Sequence, residues 1–161
     1  MKNNVYEKFG KIEIQRSICN ISTVQDGRGG IFTWELPDRI VEVNFIYYHP
    51  NKIRGNHFHP EFNEYWFLVE GSGIKVTPDP KNKKKQLIRH VSEGTMMRIP
   101  KNTTHAFHAI TQAKAVSMLT KYWKDCKRPI VHEKLVEMDQ DYKEYAKKLG
   151  FKNSAEELVK K

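Results

Sequence analysis

The sequence predicts a single all-β domain that folds as a barrel or a sandwich. From about Lys11 to Trp123, short runs of β-branched and aromatic residues alternate with turn residues, and no long helical period interrupts them. A chain of 161 residues is long enough to bury one apolar core. We therefore expect a β domain over residues 1–130, with residues 131–161 as a helical extension of the same domain.

Ten strands are expected, because the apolar runs alternate as strands do and end at Gly, Pro, Asn or Asp. These strands are Ile12–Ile18, Ile31–Glu35, Ile40–Tyr48, Gly55–His59, Glu64–Val69, Gly73–Thr77, Gln86–Val91, Thr95–Ile99, Thr104–Ile110 and Ala115–Tyr122.

The composition changes after Pro129. Leu135, Met138, Tyr142, Tyr145 and Leu149 recur at helical spacing until Gly150, which indicates an amphipathic helix. The stretch Ser154–Glu157 has the form of a capping box and predicts a last short helix.

Composition also narrows the class of protein. Lys and Arg outnumber Asp and Glu by 28 to 19, which favours an anionic partner. The basic run Lys81–Lys85 is expected to be a solvated hairpin loop, and since no base-stacking pattern accompanies it, nucleic acid is not an expected partner. No apolar run reaches the roughly 20 residues of a membrane span. Two distant cysteines and the absence of an apolar leader favour a cytoplasmic protein.

A first cluster of candidate metal ligands lies on two successive predicted strands. His57 and His59 are two residues apart, so on an extended strand both rings point to one face. Glu64 opens the next strand after a tight connection, and alternation gives it the same face as Trp66 and Leu68. Three potential ligands therefore converge.

A fourth ligand comes from a later strand. If the sheet closes, His105 can complete a set of three imidazoles and one carboxylate. Such a set suits one divalent ion, and the spacing does not distinguish Fe(II), Mn(II), Zn(II), Ni(II) and Cu(II).

These residues resemble the two motifs of the cupin superfamily. His57, His59, Glu64 and Gly71 match the first motif, and the second motif is matched by Gly94, Pro100 and His105. The resemblance implies a jelly-roll β-barrel and supplies all four metal ligands. Asn51 and Asn102 stand where the motifs usually have Gly, but Asn also enters the left-handed backbone region, so both turns are expected to survive.

A finer pattern resembles the cupins that epimerise or isomerise keto-sugars on nucleotide carriers. It consists of Asp26-Gly27-Arg28-Gly29 and, later, of Arg54-Gly55-X-His57. The resemblance implies that Arg54 binds the diphosphate and that His57 is the base that removes a proton next to the ketone. Arg28 and Arg98 are further candidates for binding the substrate, because guanidinium groups offer forked donors to phosphate.

The two resemblances conflict at His57, because a metal-bound imidazole has no free base nitrogen facing the substrate. If the ion binds His57, the ion itself would polarise the ketone. Tyr65, Lys121 or Tyr122 would then move protons, with His108 beside the substrate. Both roles of His57 stay open at this point.

The sequence thus predicts a metal-binding isomerase or epimerase that acts on a sugar or a nucleotide-linked keto-sugar in polysaccharide biosynthesis. A metal-dependent dioxygenase and a non-catalytic sugar-binding or regulatory protein are the alternatives. Because a short barrel leaves unpaired outer strands and the predicted tail has an apolar face, we also expect a homodimer.

Overall fold

The computed structural model describes residues 5–17 and 24–137, and its strands form two antiparallel sheets that face each other. Its strands are β1 Val5–Phe9, β2 Ile12–Gln15, β3 Val24–Asp26, β4 Gly29–Ile31, β5 Glu42–Tyr48, β6 Ile53–Phe58, β7 Glu64–Glu70, β8 Ser72–Asp79, β9 Asn82–Ser92, β10 Met96–Ile99, β11 His105–Ala109, β12 Ala113–Leu119 and β13 Val131–His132. A short 3₁₀ helix covers Trp123–Asp125.

The first sheet has six strands in the order β1-β2-β10-β7-β12-β5, and the second has five in the order β13-β6-β11-β8-β9. Strands β3 and β4 form a separate hairpin. Neighbours in each sheet are not always neighbours in sequence, as expected where strands cross between the sheets of a jelly roll. The predicted all-β jelly roll is confirmed.

Apolar side chains fill two layers. The space between the two sheets is packed by a cluster that includes Ile12, Trp66, Leu68, Met97 and Phe107. A smaller cluster covers the outer face of the five-stranded sheet, and its members are Ile53, Ile74, Val76, Ala106, Ile110 and Val136. The five-stranded sheet is therefore buried on both faces over part of its area.

Strand β6 contains a bulge where it pairs with β11. His57 pairs with His105 and Gly55 pairs with Ala106, so the register shifts by one residue and Asn56 is the extra residue of the bulge. Gly55 has a φ of 109° and Asn56 a φ of 57°, both in the region that favours glycine. A Cβ on Gly55 would lie 2.6 Å from the carbonyl oxygen of His105. The close approach of the two strands thus requires glycine at this position.

Asn56 fixes the end of the described chain. Its Oδ1 accepts hydrogen bonds from the backbone amides of Leu135 (3.0 Å) and Val136 (2.8 Å), and its Nδ2 donates to the Val136 carbonyl (2.8 Å). Because Val136 belongs to the outer apolar cluster, this side chain holds the residues after β13 against the five-stranded sheet.

Both asparagines that replace motif glycines adopt the expected backbone. Asn51 has a φ of 61° and Asn102 a φ of 60°. The substitutions therefore preserve the turns.

The predicted elements differ from the observed strands at several places. No strand covers Phe32–Glu35; instead Trp34 packs on Phe67 with ring centroids 4.9 Å apart, so aromatic packing produced the strand-like pattern. Strands β1, β3 and β13 were not predicted, and β4 overlaps the predicted strand Ile31–Glu35 only at Ile31. Residues 131–137 contain β13 and irregular chain rather than helix, and the rest of the predicted helical tail, with the capping box, lies outside the described residues. Among the described residues, no helix is long and apolar enough to span a membrane.

Candidate metal centre and its cavity

A cavity of about 640 Å³ opens between the two sheets. The six-stranded sheet contributes side chains from β5, β7 and β12, and the five-stranded sheet contributes side chains from β6, β8 and β11. Among its lining residues are Glu42, Tyr48, Arg54, His57, His59, Glu64, Trp66, Lys75, His105, Phe107, Ser117, Trp123 and Lys124.

Three histidines converge on one wall of this cavity. The ring centroids lie 4.8 Å apart for His57 and His59, 4.9 Å for His57 and His105, and 5.7 Å for His59 and His105. One potential ligand nitrogen from each ring lies within 4.8 Å of the others, so the three side chains could hold a metal ion. The strand positions inferred from the motif spacing are thus brought together by the fold.

Two of these rings are oriented by backbone carbonyls. The Nδ1 atom of His59 lies 2.9 Å from the carbonyl oxygen of Pro129, and the Nδ1 atom of His105 lies 3.0 Å from that of Thr103. A carbonyl oxygen can only accept, so each Nδ1 carries a proton, and Nε2 is the ring nitrogen left to present a lone pair to an ion. Histidine ligands of metals are commonly oriented in this way.

The buried carboxylate of Glu64 completes the cluster. Its Oε1 accepts a 2.6 Å hydrogen bond from the hydroxyl of Ser117, a residue that sequence reasoning missed. Its Oε2 is buried, has no hydrogen-bond partner among the described residues, and lies 3.6 Å from Nε2 of His59 and 3.4 Å from Nε2 of His105. Burial by itself would raise the pKa of Glu64, but the neighbouring His59 and His105, with a contribution from Lys75, hold that pKa below its usual range.

This arrangement fits a cation. Two imidazole lone pairs and one carboxylate oxygen face a common point, and without a positive charge between them they would repel one another. Ligand atoms bound to one ion at about 2.0–2.2 Å lie roughly 3–4 Å apart, which the distances from Glu64 already match.

His57 differs from the other two histidines. Within the described part of the chain its ring makes no hydrogen bond, and it contacts the ring of His132 with centroids 6.3 Å apart. Burial, with His59 second, lowers the pKa of His57 to about 4. The ring is therefore neutral near pH 7 and is not tied to a backbone acceptor.

Arg54 lines the same cavity as His57. On a straight strand an offset of three residues would point the two side chains to opposite faces. The bulge at Asn56 and the positive φ of Gly55 turn the backbone, so both side chains point to the same side. Arg54 is exposed, so its guanidinium lies at the rim rather than the floor.

Lys75 is the cavity residue that sequence reasoning missed most clearly. It lies on β8 with a side chain that is only 2% exposed, and its Nζ is 4.0 Å from the centroid of the Trp66 ring. Burial lowers the pKa of Lys75 to about 8, although Glu64 opposes the change. Tyr48 was also missed; its hydroxyl accepts a 3.1 Å hydrogen bond from Nε1 of Trp66.

The predicted residues Tyr65 and Arg98 lie away from this cavity. The Tyr65 hydroxyl donates to Oδ2 of Asp38 at 2.9 Å, and Arg98 Nε donates to the same oxygen at 2.7 Å. Burial, followed by the hydrogen bond to Asp38, raises the pKa of Tyr65. Because side chains alternate along β7, this network occupies the face opposite Glu64 and Trp66.

Four further predicted residues are also absent from the lining of the cavity. The Lys121 ammonium pairs with Glu61 at 2.7 Å, and Tyr122 is 45% exposed. Arg28 pairs with Asp26 at 2.6 Å in the β3–β4 hairpin. His108 is buried on β11 and shares the strand face of Ala106, opposite His105. The fold thus brings together Arg54 and the four motif ligands, but not these four residues.

Comparisons with known proteins identify the family and the fold. A family model described as Cupin matches residues 36–122. A 3,4-ketoisomerase from Helicobacter canadensis is 20% identical with a TM-score of 0.62, and the alignment covers 88% of this chain and 98% of that one.

Two other similar structures contain ligands. The 3,4-ketoisomerase QdtA from Thermoanaerobacterium thermosaccharolyticum, solved as a mutant with TDP-4-keto-6-deoxyglucose, is 13% identical with a TM-score of 0.62, over 85% of this chain and 92% of that one. The 3,5-epimerase RmlC from Legionella pneumophila, solved with dTDP-4-keto-L-rhamnose, is 18% identical with a TM-score of 0.56, over 80% and 84%. No curated protein sequence matches. At these identities the likeness demonstrates a shared fold.

Replacing Ser117 tests whether it positions Glu64. We expect Ser117→Ala to lower the free energy of unfolding by about 1–3 kcal/mol, because a buried carboxylate oxygen loses its donor, and to weaken metal affinity about 10- to 100-fold. Ser72→Ala is the matched control, since the Ser72 hydroxyl is buried and has no hydrogen-bond partner within the part of the chain that the structure describes, so its loss should be neutral or stabilising. Denaturant unfolding and metal titration measure both effects, and equal behaviour of the two variants would contradict the role.

Proposed function

The chain belongs to the cupin family, and from this premise we propose that it is an isomerase or epimerase of a nucleotide-linked keto-sugar. The observation that carries the proposal is one cavity that holds Arg54 at its rim and His57 beside a buried cluster of two imidazoles and a carboxylate. The sugar-nucleotide ligands of the similar structures support the choice of substrate class.

The proposed metal ligands are His59, Glu64 and His105. Each has a second contact that fixes its orientation, from Pro129, Ser117 and Thr103 respectively. Two histidines and one carboxylate form a ligand set that suits a divalent transition metal. Such an ion supplies a Lewis acid that stabilises negative charge on a ketone oxygen.

His57 is the proposed base. Its ring is neutral, faces the cavity and has no orienting hydrogen bond within the described chain. In this role it takes the proton from the carbon next to the ketone. In an isomerisation it then delivers this proton to the neighbouring carbon, while the hydroxyl proton of the first carbon passes to the former ketone oxygen; an epimerisation requires a second proton donor on the opposite face of the carbon. Because His57 is the base and not a metal ligand in this proposal, the conflict between its two possible roles does not arise.

Arg54 is the proposed diphosphate-binding residue. Its guanidinium lies at the rim, where Lys124 also contributes a positive charge. A substrate held there by its diphosphate would extend its sugar inward toward His57. The excess of basic residues in the chain favours the same anionic substrate class.

Comparing His59→Ala with His57→Ala separates metal ligand from base. We expect His59→Ala to weaken metal binding by more than about 100-fold, since loss of a ligand should exceed the effect of a supporting contact. His57→Ala should keep metal affinity within about 10-fold but lose turnover, because its loss removes the base. Metal analysis of protein purified without a metal-binding tag, with NMR turnover assays, measures both.

The matched control is His132→Ala, which removes a nearby exposed imidazole outside the cluster. Both properties should be retained in this variant. If His57→Ala loses metal as fully as His59→Ala, His57 is a ligand and the assignment of the base is wrong. If the unaltered protein binds no transition metal, the proposed centre is wrong.

Nucleotide-sugar affinity tests Arg54. Arg54→Ala should weaken binding of a TDP-linked sugar about 10- to 100-fold, the range for lost hydrogen bonds to a charged group. Arg54→Lys should recover only part of this affinity, because lysine keeps the charge but lacks the fork. Arg28→Ala, whose guanidinium is already paired with Asp26, is the control for loss of charge. Calorimetry in which all three variants bind like the wild type would remove Arg54 from the site.

A homodimer is the proposed assembly. Strand β5 forms an edge of the six-stranded sheet, and Val43, Phe45 and Tyr47 on it are 64%, 65% and 61% exposed. An edge strand with an exposed apolar row invites pairing with another chain. A second copy of this chain offers the same row, so a symmetric contact would cover both.

Sedimentation measures the assembly. We expect a dimer at micromolar concentration and a monomer for Phe45→Glu, because a carboxylate in the apolar contact would have to be desolvated. Ile31→Glu, at a residue that is 60% exposed on the separate hairpin, should remain dimeric. A monomeric wild type would refute the assembly, and a dimeric Phe45→Glu would move the interface elsewhere.

A further inference from the structure

Lys75 brings a buried positive charge to the floor of the cavity. The residue lies on β8 and is only 2% exposed. Its Nζ lies 4.0 Å from the ring centroid of Trp66 and 5.9 Å from that of Phe107. Within residues 5–17 and 24–137 the ammonium makes no hydrogen bond and no ion pair. Its contacts are therefore aromatic faces.

Such a placement costs stability. Removing an ammonium from water carries a large penalty unless an anion and hydrogen bonds replace the water. A cation–π contact with Trp66 offsets only about 2 kcal/mol of it. An apolar side chain of similar length would fill the same space without this cost. A structural role therefore does not account for lysine here.

The carboxylate of Glu64 does not neutralise the ammonium of Lys75. No nitrogen–oxygen distance between Lys75 and Glu64 falls within 4.0 Å, whereas Glu64 Oε2 is 3.4 Å from His105 and 3.6 Å from His59. A cation held by that cluster would use the carboxylate charge. The floor of the cavity then keeps a surplus positive charge, enclosed by apolar walls that strengthen its field.

The charge also reaches the proposed base. Lys75, His57 and His105 all line the same cavity between the two sheets, so the ammonium and the proposed base face one substrate space. Proton removal next to a ketone creates negative charge on the ketone oxygen, and a fixed donor aimed at that oxygen stabilises the transition state.

We infer that Lys75 is a further substrate-binding residue, whose ammonium donates a hydrogen bond to the sugar oxygen that becomes negative during the reaction. The inference rests on the proposed function and deepens it, because it requires a substrate with an ionisable carbonyl or hydroxyl oxygen at the inner end. Arg54 at the rim and Lys75 at the floor would then bind the two ends of one substrate.

The test measures the affinities of TDP and of TDP-4-keto-6-deoxyglucose by calorimetry, together with turnover of the keto-sugar. Lys75→Met should bind TDP within about twofold of the wild type, since its contact is not with the nucleotide. It should lose about 10-fold or more of the extra affinity contributed by the sugar, and about 100-fold or more in kcat, the effect of removing one such donor. Lys75→Gln, which keeps a donor, should recover part of both losses.

Thermal unfolding supplies the second measurement. Without ligand, Lys75→Met should unfold a few degrees higher than the wild type, because an unpaired buried charge is removed. Lys114→Met, at a surface lysine that pairs with Glu70, should change neither affinity nor kcat. A lower unfolding temperature for Lys75→Met, or failure of both Lys75 variants to fold, would show a structural role and overturn the inference.

The remaining outcomes separate this inference from the proposed function. If the wild type binds the keto-sugar more tightly than TDP, and Lys75→Met keeps that difference and its kcat, the inference alone fails. Equal wild-type affinity for the two ligands also overturns it and leaves the Arg54 assignment standing. If the wild type binds neither ligand, the proposed function fails and the inference fails with it.

Discussion

The bulge at Gly55 and Asn56 is the constraint on which the site depends. The backbone of β6 turns there through two residues with positive φ, so Arg54 and His57 line one cavity although their spacing is odd. The same turn lets β6 approach β11 so closely that any Cβ on Gly55 would collide with the carbonyl of His105. Asn56, pushed out of register, uses its side chain to hold the chain after β13. This bulge thus allows Arg54 and His57 to line one cavity and anchors the segment that covers the outer face of the sheet.

The electrostatic properties of the cavity follow from the burial of its charged side chains. A carboxylate and an ammonium are both buried in the cavity without forming an ion pair, and each retains unused capacity for an external partner. Glu64 has one unsatisfied oxygen aimed at two lone pairs, an arrangement that favours a cation. The Lys75 ammonium lies against the ring of Trp66 and not against a carboxylate, an arrangement that favours an anionic ligand. Since both buried charges cost stability, their placement supports the proposed roles of Glu64 and Lys75 in binding.

Much of the fold was predictable, because strand alternation and turn residues are local signals. The misses have tertiary causes. In the run Gly73–Thr77 the polar residues Lys75 and Thr77 would normally face solvent. They face inward because the other face of the strand, which carries Ile74 and Val76, is covered by Val136, about sixty residues later in the chain. Phe32 to Glu35 resembled a strand because aromatic residues are common in strands, yet Trp34 is placed by its contact with Phe67.

The candidate site was predictable as a set of ligands but not as a set of roles. Motif spacing treats His57, His59 and His105 alike, since each lies on a predicted strand at a position expected to face inward. What distinguishes them is contact with Pro129 and Thr103, whose carbonyls fix two of the rings, and Pro129 lies outside both motifs. A carbonyl partner holds a ring as a ligand with one tautomer, whereas a base must accept a proton and release it. The orienting contacts of the barrel therefore allow one cluster to contain both a metal centre and a base.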